Sequence, residues 1–251
     1  TEITQPAILT TSFAIFSVLK QEYNFDLSKI KFIAGHSLGE YSALVASGSL
    51  SLENAVTLVH ERGKQMQAAV PEGKGAMLAV MGLDTKELNF FLKKFDDKTG
   101  ICEIANDNSP GQIILSGNKE TLINFSNILK NEKKKSIFLP VSAPFHCSLM
   151  KSAAENMKSF LQNADFKYPN FQLVSNVTAL PVEKNSNIKD LLFKQIFSQV
   201  RWRESVEYMI ENGINDFIEI GPGKVLSGLV KRTNDKVLTK SITKIDDIKN
   251  L

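Results

Sequence analysis

Metal-binding and disulfide patterns are both missing from this chain. Cysteine occurs only twice, at Cys102 and Cys147, far apart and without metal-ligand spacing. Neither a disulfide framework nor a metal site is suggested, and a reducing, cytoplasmic setting fits. Each cysteine reads as a small buried apolar residue. No apolar run reaches the roughly 18 residues that a membrane-spanning helix needs, so no membrane partner is expected. Neither sign of charge is in marked excess: 30 Lys plus Arg against 27 Asp plus Glu leave +3, too mild a balance to argue for a nucleic-acid partner. The opening T-E-I-T-Q has neither an initiating Met nor the basic-then-apolar pattern of a signal peptide, so the segment is expected to lack its native beginning. Internal repeats and low-complexity tracts are absent too. What is there is 43% hydrophobic and 23% charged over 251 residues, the composition of a soluble globular protein long enough for one large domain, or one domain carrying an insertion.

Thr4, Gln5 and Pro6 lead into an apolar run, Ala7 to Leu19. It reads as a helix with proline in its first turn, where a missing N–H forfeits no intrahelical bond. Ile8, Ile15 and Leu19 share one face. Lys29 to Ala34, short, rich in Ile and Phe and closed by a glycine, reads as a buried strand, and a helix follows to about Ser47. Ser51 to Asn54 looks like a capped start with an acid in the first turn, opening a helix that runs to about Val70, ahead of the breakers Pro71 and Gly73. From Gly75 to Val141 the order is strand, helix, strand, strand, helix, strand: Ala76 to Val80, Thr85 to Phe95, Ile101 to Ile104, Ile113 to Ser116, Lys119 to Lys130 and Ser136 to Leu139. That is the order of a split βαβ, ferredoxin-like unit. Residues 74–141 are therefore expected to form a small α+β subdomain inserted into an α/β core of residues 1–73 and 142–251, whose strands resume at Phe171 to Val174 and Asp216 to Ile220. There G-P-G-K, 221 to 224, carries a strand into a helix, Val225 to Arg232. It lacks the phosphate-loop spacing G-x-x-x-x-G-K-[ST] and reads as a tight turn. Lys133 to Lys135 read as a solvated turn or an aid to docking an acidic partner.

The stretch G-H-S-L-G-E, residues 35 to 40, carries the first sign of chemistry. It fits G-x-S-x-G and falls between an expected strand and an expected helix, the context that motif needs. A sharp turn there lifts the Ser37 hydroxyl clear of the sheet, flanking glycines let neighbouring backbone pack closely, and the next N–H points toward a developing oxyanion. The bland alternative is a Gly-Ser turn that merely joins strand to helix. A serine nucleophile needs a base, and the chain holds three histidines. His36 adjoins the serine and points elsewhere on the turn, and His60 lies on the expected 52–70 helix. His146, in V-S-A-P-F-H-C at the junction of the two units, is the best candidate, against the alternative of a structural histidine. No carboxylate to complete a hydrolase triad has a sequence signal.

Arg62 stands out on spacing alone. Leu52, Ala55, Val56, Val59, Met66 and Ala69 form an apolar helical stripe, and Arg62 and Gly63 fall inside it. A guanidinium placed on a buried face must find an anion or lose several kcal/mol of solvation. That anion is either an internal acid such as Glu40 or the carboxylate of a substrate, which the planar fork of arginine suits. The amides of N-D-N-S-P-G-Q, 106 to 112, either cap local backbone or line a cleft.

Together these stretches resemble one family, the malonyl-CoA:acyl carrier protein transacylases of fatty acid synthesis and the related acyltransferase domains of polyketide synthases. The resemblance covers nearly the whole chain. It rests on G-H-S-L-G-E at 35–40, R-G-x-x-M at 62–66, N-x-N-S-P-G-Q at 106–112, S-A-P-F-H-C at 142–147, K-Q at 194–195 ahead of R-W at 201–202, and E-I-G-P-G-K-V-L at 219–226. It implies a hydrolase-like α/β core, a parallel sheet flanked by helices, with the ferredoxin-like insert. It also implies that Ser37 is the acylated nucleophile, His146 its general base, Arg62 the grip on a malonyl carboxylate and the Leu38 N–H an oxyanion donor. Gln195 matches a position whose backbone carbonyl orients the base in place of an acid. Asn106 matches an active-site asparagine, and Phe145 beside His146 matches the form associated with malonyl rather than methyl-branched substrates. The implied reaction moves malonyl from malonyl-CoA to the phosphopantetheine thiol of acyl carrier protein through malonyl-serine, with neither a metal nor a redox cofactor. Two rivals stand beside it. A serine esterase or thioesterase would show a triad acid and no reason for Arg62 to face inward; a non-catalytic carrier-protein-binding module would have lost Ser37 or His146. One departure is expected: the family opens with a strand and a G-Q-G-x-Q turn that donates the second oxyanion hydrogen bond, and both would lie ahead of Thr1. The core sheet would then be a strand short, and the loss of one such donor lowers a rate by roughly 10² to 10³.

Overall fold

The structure, a computed structural model, describes residues 1–23, 25–95, 100–184 and 186–249. Its first helix, α1 (Thr4–Glu22), buries Gln5, Leu9, Ser12, Phe16 and Leu19. Of the expected face, Leu19 is buried while Ile8 and Ile15 are half-buried, because apolar residues are spread around the helix and its partners, not its period, choose the buried side. Strand β1 is only Phe32–Ile33, shorter than the expected Lys29 to Ala34, since a 3-10 turn takes Leu27–Lys29. Helix α2 (Gly39–Ala46) follows directly. Helix α3 (Leu52–Ala68) starts where the Ser51 side chain accepts the Asn54 N–H, the cap expected from the sequence.

Six elements then build the insert: β2 (Gly75–Met81), α4 (Thr85–Lys94), β3 (Cys102–Ser109), β4 (Gln112–Asn118), α5 (Lys119–Asn131) and β5 (Lys135–Phe138). Its sheet runs β3-β4-β2-β5, every pair antiparallel. That interleaving is the ferredoxin-like arrangement. Leu78, Val80, Leu88, Leu115, Leu122 and Phe125 fill its own core, and a reciprocal Asp84–Glu87 capping box starts α4.

The chain returns through α6 (Lys151–Asn163), β6 (Gln172–Leu173), α7 (Ile188–Gln195), α8 (Trp202–Glu211), β7 (Asp216–Ile220), α9 (Val225–Thr233), β8 (Leu238–Ile242) and α10 (Ile245–Ile248). β1 pairs in parallel with β6, and β7 in parallel with β8. Among the described residues the parallel sheet thus consists of two separate two-stranded ladders, with the helices packed around them. The G-P-G-K segment is a tight turn, with Gly221 at φ +140° and Gly223 at +90°. The Glu219 carboxylate accepts the N–H groups of Leu226 and Ser227 at 3.0 and 2.7 Å, filling the helix terminus that a phosphate would otherwise use. Insert and core are joined by Asp107 of β3, whose buried carboxylate takes Arg203 Nη2 of α8 at 2.8 Å and the Thr85 hydroxyl at 3.0 Å.

Candidate active site

Ser37 ends the turn from β1 into α2 at φ +52°, a left-handed conformation that strains a non-glycine residue by roughly 1–3 kcal/mol. Two amides hold it there. The Ser37 N–H donates to Asn176 Oδ1 at 2.7 Å, and the Ser37 carbonyl accepts from Gln195 Nε2 at 2.9 Å. Asn176 is fixed in turn, its Nδ2 donating to the Gly35 carbonyl at 2.8 Å. It follows β6, the parallel partner of β1, so the carboxyl ends of two neighbouring strands deliver Ser37 and Asn176 to one edge. The two glycines of the motif are not equivalent. A Cβ on Gly35 would lie 2.0 Å from the Gly39 carbonyl oxygen, whereas a Cβ on Gly39 would meet nothing within 4 Å.

His146 Nε2 lies 2.8 Å from Ser37 Oγ, and His146 Nδ1 lies 2.9 Å from the Gln195 carbonyl. A carbonyl only accepts, so Nδ1 carries the proton and the Nε2 lone pair faces the serine. Gln195 is the last residue of α7, where carbonyls lack a partner one turn on and the helix dipole favours positive charge. His146 is itself at φ +60°. Among the described residues four non-glycines have positive φ, and two of them are this pair. Burial, and then the nearby Arg62 charge, push the His146 imidazole down to about 3, so it is neutral in the resting site.

Arg62 comes from the buried face of α3 and is 1% exposed. Its Nη2 donates to Ser37 Oγ at 3.0 Å and to Gln195 Oε1 at 2.9 Å, and its Nη1 to Gln5 Oε1 at 2.7 Å. Nε has no partner among the described residues. The guanidinium carbon stands 5.7 Å from the centre of the Tyr41 ring. The internal salt bridge to Glu40 does not form. Glu40 instead accepts from Gln195 Nε2 at 2.7 Å and from the Asn176 N–H at 3.2 Å, and burial pushes its carboxyl up to about 7. Among the described residues no carboxylate pairs with Arg62.

The remaining histidines lie elsewhere. His36 Nε2 meets Asn108 Oδ1 at 2.8 Å and its ring tilts against Trp202; His60 is 3.5 Å from Glu2 on the outer side of α3. The Leu38 N–H has no acceptor among the described residues. Asn106 is buried in β3, where it forms a bridge to Val200, and no hydrogen bond joins its side chain to Ser37, His146 or Arg62 among the described residues. Phe145 packs between the main core and the insert. It also lines a cavity of about 600 Å³ with Gln67, Lys119, Phe138, Val141 and Ser142, a cavity that Ser37, His146 and Arg62 do not line.

The family model of the acyl transferase domain matches residues 1–249. The chain belongs to the acyl transferase domain family. A malonyl CoA-acyl carrier protein transacylase of Bacillus subtilis (strain 168) is 45% identical over 242 residues, covering 95% of this chain and 74% of that protein. The crystal structure of the malonyl CoA-acyl carrier protein transacylase of Clostridium perfringens superposes with a TM-score of 0.95 at 40% identity, over 100% of this chain and 78% of that one. A malonyl-transacylase solved in complex with its type II polyketide synthase acyl-carrier protein gives a TM-score of 0.92 at 38% identity, over 100% of this chain and 80% of that one.

In this acyl transferase chain the geometry adds two residues that the motifs do not name, Asn176 at the nucleophile and Gln5 at Arg62. Asn176 has a faint signal, a polar S-N pair closing the apolar stretch Phe171 to Val174. Gln5 sits in the first turn of an apolar helix and is distinguished there only by being polar and buried.

Proposed function

We propose that this acyl transferase is a malonyl-CoA:acyl carrier protein S-malonyltransferase of fatty acid biosynthesis, working through a malonyl-serine at Ser37. The observation that carries the reading is Arg62, a buried guanidinium 3.0 Å from the serine hydroxyl whose hydrogen-bond partners are all neutral oxygens. A buried cation in that state attracts an anion, and a malonyl ester on Ser37 would place its carboxylate three atoms beyond Oγ. An esterase for neutral acyl groups has no use for such a residue.

His146 Nε2 takes the Ser37 proton as Oγ attacks the malonyl-CoA thioester carbonyl. The oxyanion forms toward the Leu38 N–H at the start of α2. Collapse breaks the C–S bond, and His146 returns the proton to the departing CoA thiolate. In the second half His146 takes the proton of the phosphopantetheine thiol of acyl carrier protein, whose sulfur attacks the ester; the proton then returns to Ser37. Imidazolium formation in both halves is helped by the Gln195 carbonyl, which does the orienting that a triad acid does elsewhere. The chemistry so written calls for no metal or redox cofactor. Asn106 and Phe145 are assigned to the acyl pocket, with the insert, residues 74–141, closing over a core of 1–73 and 142–251 to keep water from the ester. None of the described helices is long and apolar enough to cross a membrane, and the cytoplasm is the setting this reaction calls for.

Intact mass spectrometry after mixing with malonyl-CoA and then with holo carrier protein tests the reading. A malonyl adduct on Ser37 that moves to the carrier thiol is expected. Prompt loss of the adduct to water would make the chain an esterase, and no adduct would leave a binding module.

A further inference from the structure

The reacting serine and its base are not held by each other alone. Both backbone groups of Ser37 end on side-chain amides, N–H on Asn176 and C=O on Gln195. Gln195 also supplies the carbonyl that orients His146 and the Oε1 that receives Arg62. Both amide residues meet at a single atom, Glu40 Oε2, which takes the Asn176 N–H and Gln195 Nε2. Glu40 is 1% exposed and stands on the first turn of α2.

The direction of each bond is forced. A backbone N–H only donates, so Glu40 Oε2 is an acceptor whatever the charge on the carboxyl. Arg62 also only donates, so Gln195 must present Oε1 to it, which turns Nε2 toward Glu40. The same amide nitrogen then reaches the Ser37 carbonyl. Turned the other way, Gln195 would set its oxygen against Glu40 and the Ser37 carbonyl, and its amide hydrogens against Arg62.

We infer that Glu40 is a positioning residue for acyl transfer: through Gln195 and the Asn176 backbone it sets the left-handed turn at Ser37, the seat of Arg62 and the end of α7 that orients His146. What it supplies is an oxygen acceptor at a fixed distance, not a negative charge. This rests on Ser37 and His146 being the reacting pair.

The ordering of three variants tests it. Glu40→Gln keeps an oxygen at the Oε2 position, with its amide nitrogen turned to Ser175, which already hydrogen-bonds this carboxyl. Glu40→Asp keeps the charge but draws the acceptor back by one carbon. Glu40→Ala removes it. With the single-turnover rate of Ser37 malonylation as readout, E40Q is expected to lose least. E40D and E40A should lose more, by up to roughly 100-fold, as a displacement of about 1 Å at a reacting group can. KM for malonyl-CoA should move less than the acylation rate. An E40D protein faster than E40Q would overturn the inference in favour of charge, and so would folded E40A or E40D acylating at the wild-type rate. E40D and E40Q carry the test even if E40A fails to fold. Wild-type protein in the same experiment reports separately on the nucleophile: an adduct on any residue but Ser37 would strike the underlying reading, not the role of Glu40.

Discussion

Arg62 acts on its neighbours in two opposed ways. It donates to Ser37 Oγ, which favours the ionised serine, and its charge helps depress the His146 imidazole, which weakens the base. An acyl group that brings its own carboxylate changes the balance, because pairing with the guanidinium neutralises the charge that restrains His146. On the proposed reading malonyl is both bound by Arg62 and a help to its own catalyst, and acetyl is neither. Arg62→Ala is expected to lower kcat/KM for malonyl-CoA by on the order of 10², the loss usual when one partner of a buried charged pair is removed. For acetyl-CoA the loss should be far smaller. Arg62→Lys, which keeps the charge but not the two-pronged fork, should fall between them for malonyl-CoA. Equal losses on both substrates would remove the carboxylate role.

The turn between β1 and α2 separates two glycines that the motif treats alike. Gly35 has the Gly39 carbonyl where its side chain would be, while Gly39 faces open space at the start of a helix. Gly35→Ala must push α2 away from β1, so soluble yield and the urea midpoint should both fall. Gly39→Ala should leave the urea midpoint unchanged or raise it, since alanine is favoured over glycine in a helix; a lower midpoint would contradict the geometry. The same contrast marks what the sequence can tell at this scale. The insert is legible because β2 and β4 carry short apolar runs bounded by turn formers, and the order of its six elements leaves one common topology. In the core, β7 is read at its observed bounds and β1 and β6 are placed but read too long, since they are two residues each; β8 is not read at all. Nor is the face of α1, which is apolar on most sides. In the site, Ser37, His146 and Arg62 are legible because each is a chemically marked residue in a telling place. Gln5 and Asn176 are ordinary amides, and only packing between distant segments selects them.

Over the whole molecule, desolvated groups of two kinds, histidine and carboxyl, pull stability in opposite directions as pH changes. His146 falls from a usual 6.5 to about 3, and half-buried His36 falls as well through desolvation of its ring. Neutral in the folded state, they contribute fully above pH 6.5; that contribution is lost as pH drops below it, where the unfolded chain takes up protons that the folded one refuses. Glu40 rises from 4.5 to about 7. It keeps a proton that the unfolded chain sheds, so its contribution is full below pH 4.5 and is lost as pH climbs through 7. Between these values the two slopes oppose each other. Glu40→Gln deletes one of them, so the variant should gain stability relative to wild type as pH rises from 4.5 to 7. Urea midpoints at pH 4.5, 5.5, 6.5 and 7.5 measure the difference, and exposed carboxylates common to both proteins cancel in the comparison. Parallel curves would mean that Glu40 is ionised in the folded protein throughout this range. The Ser37 turn would then rest on a charged carboxylate beside Arg62, held by the hydrogen bonds from Gln195 and Asn176 rather than relieved by a proton.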